Sequence, residues 1–511
     1  MARWSLHRGV TVSVLSSVKG PDARDHDVGC SIQGPTTAAL RRAQAPLRDA
    51  VRSLGAASAL AEAGRLVRWL EDTPRYAALC RTGPRRGGRR RLRDEVLFPD
   101  PARTPPRHLH VRFRGLGLDV PVPHRAWPDV HGLLSELASG MSLRAAPRRA
   151  TLLRTLVSDL RAAGALVRHE GAVSLPSASA FFAGHNMVLL DVGGARILVD
   201  PWFRGMSELD LPGYPPVQAQ DLGRVDAVLV THTHGDHFHL GSLLQLPRDT
   251  RILVPAVSRE SLFSTDAAAR LAQAGFQRVE PLPWWRSTRV GNAEITALPF
   301  HGEQPTDGEG LYPGLFNEGN TWLVRSKELS AVFFADAGHD VRGDMRAVCK
   351  RVRRGGPVDL VFTGIRGFRI PPLFFAFSTL DPFLVNVPLP DLVRPQRLMA
   401  DPREALTWGR LLGARAVIPC ADGGAPWYWR EGMGPRYPGY PGVPVEGAST
   451  ADENPDADPF PERVLTERSR LEGAPPALVL RPGEGLTLER GAARRVAHPR
   501  FPWPFGDASP L

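Results

Sequence analysis

Long apolar runs are missing from this 511-residue chain. The longest candidate, Phe374 to Leu389, is broken by Asp381, Pro382 and Pro388. A membrane-spanning helix needs about 20 predominantly apolar residues, so no membrane span is expected. Cysteine is scarce as well. Cys30, Cys80, Cys349 and Cys420 lie far apart and form no CxxC pair, which argues against a thiolate zinc site and against a disulfide framework. The basic opening Met1–Arg8 leads only into a weakly apolar stretch, Gly9 to Ser17, without a cleavage site. No secretory signal is expected, and the expected location is cytoplasmic. Lysine is nearly absent, occurring at Lys19, Lys327 and Lys350, so the net charge of +11 is carried by arginine. The densest group comprises Arg81, Arg85, Arg86, Arg89, Arg90, Arg91 and Arg93. Its Gly and Pro neighbours, and the lack of interleaved aromatics to stack on bases, predict a solvated loop rather than a nucleic-acid surface.

What is present divides the chain in four. Residues 1–36 are small and polar and read as an irregular segment. Residues 37–175 read as an accessory α+β domain: an Ala- and Leu-rich helical region from Thr37 to Cys80, two short strands between His108 and Val122, a helix around His131 to Ala138, and a helix whose Leu152, Leu153, Leu156, Val157 and Leu160 share one face. Gly164 ends that helix and Ala165-Leu166-Val167 begins a strand. The order resembles a winged helix. It also resembles the small peptide-recognition domains of enzymes that modify ribosomally made peptides, which implies a peptide partner; the plainer alternative is a packing or dimerisation extension. Residues 176–490 form the expected catalytic domain, and residues 491–511 an irregular tail.

The catalytic segment opens on a hairpin, Met187–Asp191 and Arg196–Asp200 around Gly193-Gly194, a pair suited to the positive φ of a two-residue turn. Strands at Ala227–Val230 and Arg251–Val254 then alternate with helices at Leu240–Leu246 and Glu260–Ala274, an α/β pattern.

Directly after the strand Ala227–Val230 stands Thr231-His232-Thr233-His234-Gly235-Asp236-His237. Two imidazoles at spacing two reach one side of a loop, and the next carboxylate and imidazole reach a neighbouring position, so four ligands serve two adjacent cations. Gly235 permits the tight turn between the pairs. His239 reads as a helix-start residue, and His185 as a group that orients ligands.

This HxHxDH pattern is that of the metallo-β-lactamase superfamily, which the chain resembles at all four specified positions. Gly184-His185-Asn186 and Ile197-Leu198-Val199-Asp200-Pro201-Trp202 look like the opening hairpin of its ascorbate-phosphate lactonase-like and phospholipase-D-like branch. The resemblance implies an αββα sandwich. It further implies a third histidine ligand after a later strand, matched by His301, and a bridging aspartate, matched by Asp336. The family's late histidine is replaced here by Cys420-Ala421-Asp422. Asp422, Cys420, Glu303, His339 or water are left to complete the second site.

On this reading His232, His234 and His301 hold one zinc, Asp236 and His237 a second, and Asp336 bridges. The metal-bound hydroxide would attack an ester, lactone, amide or phosphodiester, with Asp236 steering the proton. Iron and manganese are the alternative metals. Diiron β-hydroxylases of the same fold use a glutamate in place of the third histidine, and Phe300-His301-Gly302-Glu303 offers both. A third alternative is a peptide- or nucleic-acid-binding protein with a degenerate metal domain. Phe374, Phe375, Phe377 and Phe383 among prolines read equally as a lid over a small-molecule or lipid-like substrate and as ordinary core packing.

Overall fold

From residue 180 onward most strand segments are apolar at odd and even positions alike, so both faces of each sheet need cover. The computed structural model describes residues 3–15, 35–54, 56–84, 88–103, 105–114, 116–142, 151–169, 171, 175, 179–203, 217–303, 314–365, 367, 371–373, 384, 387–397, 399–421, 463–489 and 492–497. Its eight-stranded sheet runs in the order Arg278–Leu282, Arg251–Pro255, Ala227–Leu229, Ala195–Val199, Met187–Val192, Ala180–Gly184, Glu484–Glu489 and Ala492–Ala497. The six-stranded sheet facing it runs Ser287–Val290, Ala293–Pro299, Asn320–Arg325, Ser330–Ala335, Leu360–Thr363 and Ala416–Pro419. Pairing is parallel from Arg278–Leu282 to Ala195–Val199 and antiparallel beyond.

Strand alternation sorts the layers. Val188 and Leu190, Ile197 and Val199, and Leu229 point between the sheets, where they meet Ile295, Trp322, Phe333, Phe362 and Ile418. Leu298, Phe334, Val332 and Val361 point away, under the helices Met345–Arg353 and Pro402–Leu412. The second of these helices is bounded by its own residues: Asp401 and Glu404 form a capping box, Pro402 stands in its first turn, and Gly413 at φ 66° ends it. The hairpin at Gly193-Gly194 closes with φ of 62° and 71°, as expected.

On the first sheet's outer side, Leu189, Leu198, Val228 and Ile252 pack against Val12, Leu109, Leu133 and Leu156. The N-terminal region is therefore a layer of the sandwich and shares its core. This corrects the expectation for residues 1–36, because Trp4–Leu6 pairs with Leu166–Arg168 and Thr11–Leu15 pairs with His108–Phe113. Both partners lie far along the chain, so no local turn signal announces either strand. The tail is corrected likewise, since Ala492–Ala497 is the edge strand beside Glu484–Glu489.

In the accessory region the strand pair His108–Phe113 and Leu116–Pro121 precedes the helices Trp127–Ala138 and Thr151–Ala162. Among the described residues the one strand that follows them before residue 180, Leu166–Arg168, pairs with Trp4–Leu6 rather than forming a wing. Nor is the arginine cluster wholly solvated. Arg89 is buried, paired with Glu71 and donating to the Val387 carbonyl, and Arg90 pairs with Asp72. Arg85 and Arg86 lie outside the described residues, as do Phe374, Phe375, Phe377, Phe383 and Asp422. The helix expected over Glu260–Ala274 is confined to Ala267–Gln273, because the Asp266 carboxylate accepts from Ala269 N and starts the helix there. Among the described residues no helix is long and apolar enough to cross a membrane.

Two contacts fasten the N-terminal layer to the sheet. A Cβ on Gly241 would lie 1.8 Å from the Val12 carbonyl oxygen, so Gly241→Ala is expected to lower stability by about 1–3 kcal/mol. Gly132→Ala, in a helix with nothing within 4 Å of the added carbon, should raise it slightly; urea midpoints of the two variants test the pair. His131 is buried, 2.9 Å from the Leu246 carbonyl, and burial pulls its pKa down to about 4. The unfolded chain therefore takes up this proton first, and stability falls as pH drops from about 6.5 toward 4 by up to about 1.4 kcal/mol per unit. His131→Gln, which keeps a donor, should show a shallower loss across that window in denaturation at stepped pH.

Candidate metal centre

The strand Ala227–Leu229 delivers its loop at a fixed angle because three bonds hold the exit. Trp322 Nε1 donates to the Val230 carbonyl (3.0 Å), Asn320 N to the Thr231 carbonyl (2.7 Å), and Thr231 N to Asp200 Oδ1 (2.7 Å). The loop then turns on itself, with Phe238 N bonded to the His234 carbonyl at 2.8 Å. His239 closes it as the N-cap of the helix Leu240–Leu243, its Nδ1 accepting from Ser242 N, as its sequence context implies.

Five of the expected ligands converge. Three groups of side chains each place their ligand atoms within 4.8 Å of one another: His232, His234 and Glu303; His232, His237 and Asp336; and His185, Asp236 and His237. Glu303 Oε2 lies 3.0 Å from His232 Nε2 and 2.7 Å from His234 Nδ1. Asp336 Oδ2 lies 3.2 Å from His237 Nε2, and His185 Nε2 lies 3.2 Å from the same nitrogen. All are buried except Asp236, whose side chain keeps 17% of its surface.

His301 is placed elsewhere. It follows its strand as expected, but it belongs to none of the three groups, and its Nδ1 lies 3.1 Å from Asp340 Oδ1. Glu303 fills the space beside His232 and His234. His339 sits in a short strand pair and belongs to none of the three groups. Cys420 bonds to Asn186 Oδ1 at 3.1 Å, behind the ligands.

The tautomers follow from what each partner is able to do. A carboxylate only accepts, so His237 carries a proton on Nδ1 toward Asp200 Oδ2 (2.8 Å), which leaves Nε2 as the nitrogen that would face a cation. Thr231 Oγ1 gives its one proton to Asp200 Oδ2 (2.5 Å) and therefore accepts from His232 Nδ1 (3.0 Å), which leaves His232 Nε2 as a lone-pair donor. His232 Nε2 and Asp336 Oδ1 are buried with no hydrogen-bond partner. Orphaned lone pairs of this kind are costly unless something positive meets them. The donor set, nitrogen and carboxylate oxygen without thiolate, fits divalent zinc, iron or manganese.

Among the protein groups alone the charges are strongly interlocked. Burial, then the neighbouring His237 charge, pulls the His232 pKa to about 4. Burial also opposes charge on His237, but Asp336 and Asp236 outweigh it and raise this pKa well above the ordinary value. Burial and Glu303 push Asp336 up to about 7. Against its own burial, Glu303 is held well below the usual range by His234 and His232.

Backbone strain is concentrated here. Of the seven described non-glycine residues with positive φ, five belong to this site or its supports: His185 (53°), Asp200 (38°), Glu303 (47°), Ala335 (48°) and Ala421 (54°). Such conformations cost roughly 1–3 kcal/mol each and persist where surrounding contacts over-determine them. Sequence reading placed Asn186 and Asp200 in the opening hairpin but gave neither a role at this site, where Asn186 donates to Asp200 at 2.5 Å. The available signal was an aspartate closing a buried strand ahead of Pro201.

Residues 195–420 match the family model described as a beta-lactamase superfamily domain. A hydroxylase from Streptomyces venezuelae, 4-amino-L-phenylalanyl-[CmlP-peptidyl-carrier-protein] 3-hydroxylase, is 32% identical over 191 residues, 36% of this chain. The match spans only 33% of that relative's length. A UPF0173 metal-dependent hydrolase from Rubrobacter xylanophilus is 25% identical over 269 residues, 52% of this chain and 85% of its own. Among solved structures, that of CmlA, a diiron beta-hydroxylase from Streptomyces venezuelae, superposes with a TM-score of 0.57 at 18% identity, covering 97% of this chain and 100% of that one. At that identity the likeness concerns the fold, and it extends through the N-terminal layer.

Removing the group that aims His237 tests the centre directly. Asp200→Ala should weaken metal retention about 10–100-fold, read as metal per chain after dialysis against graded chelator.

Proposed function

This chain belongs to the metallo-β-lactamase superfamily through residues 195–420, and from that premise we propose that it is a diiron oxygenase that hydroxylates an aminoacyl group carried on a peptidyl carrier protein. The observation that carries the reading is Glu303 lying against both His232 and His234, with His301 turned away to Asp340. Two histidines and one carboxylate facing an open position form the ligand set of iron oxygenases, whereas a third imidazole suits zinc. The Streptomyces hydroxylase, 32% identical over the matched segment, supports the reaction class and the carrier-bound substrate.

On this assignment His232, His234 and Glu303 hold one cation, and Asp236 and His237 the other with His185 beside them. Asp336 lies between, one oxygen toward His237 and the other without a protein partner. Bound there, a pair of irons would supply dioxygen activation for a net reaction that converts C–H to C–OH and releases one water at the expense of O2, two protons and two electrons from an external reductant. Asp200 fixes the His237 tautomer. Asp236, the most exposed of the set, is the group available to pass protons at the open side. The surrounding apolar strands keep bulk water away from the remaining ligands. The N-terminal layer is the proposed contact for the carrier protein.

One observation favours a second reading, a metal-bound-hydroxide hydrolase using zinc: the UPF0173 relative, aligned over 85% of its length. Metal analysis with product analysis separates the two. About two irons per chain, with 18O from dioxygen appearing at carbon 3 of a carrier-bound aminoacyl substrate, is the expected result. About two zincs, with turnover of esters or lactones and no oxygen incorporation, would replace it with the hydrolase.

A further inference from the structure

His301 and Glu303 stand two residues apart on one loop, and both are metal-ligand types. Something must decide which of them reaches His232 and His234. We infer that Asp340, braced by Arg342, is the residue that decides it, by holding His301 out of the metal position so that the carboxylate of Glu303 occupies it. The inference rests on Glu303 being a ligand, as assigned above.

Asp340 is fully buried at its side chain and lies at the start of the short hairpin formed by His339–Asp340 and Gly343–Asp344. Its Oδ1 faces His301 Nδ1 at 3.1 Å, and its Oδ2 accepts from Gly302 N at 3.3 Å. The same carboxylate therefore grips the residue it withdraws and the backbone link toward Glu303. Arg342 fixes it in turn: Arg342 N donates to Oδ1 (2.7 Å) and Nη2 to Oδ2 (3.0 Å). Arg342 Nη2 also donates to the Asn317 carbonyl (3.0 Å), and Asn317 Nδ2 donates to Glu303 Oε2 (3.3 Å).

The imidazole needs a place to go, and Gly343 provides it. A Cβ on Gly343 would lie 2.8 Å from His301 Nε2, so the ring occupies space that only glycine leaves open. The loop needs an unusual path as well, and Gly302 at φ 119° followed by Glu303 at φ 47° provides that. Asp340 is thus a positioning residue. It touches no ligand directly and acts on the metal through His301. Exchanging a third imidazole for a carboxylate shifts the site's preference from zinc toward iron.

The test uses the full-length chain as wild type, Asp340→Ala, His301→Ala and the Asp340→Ala/His301→Ala double variant. Each is loaded anaerobically with equal ferrous iron and zinc. Two readouts are taken: the bound iron-to-zinc ratio, and the number of imidazoles per metal from X-ray absorption. Asp340→Ala is expected to gain about one imidazole and to shift the ratio toward zinc by about tenfold or more. The double variant, having no His301 to compete, should return to the wild-type ratio and count, and His301→Ala alone should match wild type. A folded Asp340→Ala protein with unchanged count and ratio overturns the proposal. So does a double variant that keeps the single variant's shift, since that would mean a general disturbance of the site. Should the product analysis above show ester or lactone turnover without oxygen incorporation, the oxygenase reading fails, while the imidazole count still decides whether Asp340 holds His301 away.

Discussion

The Asp200 carboxylate receives a backbone amide and a hydroxyl from Thr231, the side-chain amide of Asn186 and the Nδ1 proton of His237. Four donors on one buried carboxylate fix its orientation, and a group that only accepts dictates which atom of each partner carries the proton. His237 has to present Nε2 inward, and Thr231 has to accept from His232. Asp200 itself sits at φ 38°, a strained position that hydrogen bonds of this number and strength readily offset. Through Asn186 the network reaches Cys420 at the end of the strand Ala416–Pro419. Strand ends from both sheets are thereby locked to one point. This is why loops so distant in sequence bring their donor atoms together in three overlapping groups, each within 4.8 Å.

The position vacated by the family's late histidine is best understood from the same point. Cys420 is bonded to Asn186 and belongs to none of the three ligand groups, and His185, bonded through its carbonyl to Ala421 N, lies beside Asp236 and His237. On the proposed assignment the hairpin, through His185, supplies an imidazole on that side in place of the last strand. On the other side it gains a carboxylate. The second departure alone moves the proposed ligand set toward oxygen donors, the direction in which iron is preferred.

The N-terminal residues matter to this arrangement through packing. The outer face of the first sheet is apolar and is covered by Val12, Leu109, Leu133 and Leu156. Gly241, two residues past the His239 cap, lies directly under Val12. The helix that closes the metal loop therefore leans on a strand from the far end of the chain. A half-buried Arg8–Asp221 pair, bidentate at 2.5 and 2.6 Å onto a buried carboxylate, adds to that seam.

The sequence by itself determined what short-range pattern and chemistry can express. The period-two apolar strands, the Gly193-Gly194 turn and the dense cluster from His232 to His237 carry their signals within a few residues, and each has the form those signals imply. Asp336, too, stands where its strand end suggested. Tertiary structure alone decided the rest. Trp4–Leu6 and Thr11–Leu15 are strands only because partners far along the chain pair with them. Arg89 is buried only because Glu71 and the Val387 carbonyl meet it. The choice between His301 and Glu303 was open in the sequence, since adjacent ligand types on a glycine-containing loop are chemically equivalent candidates. It is closed in the fold by a carboxylate, Asp340, and a glycine slot, Gly343, some forty residues further on, and a contact at that separation leaves no periodicity or spacing to read.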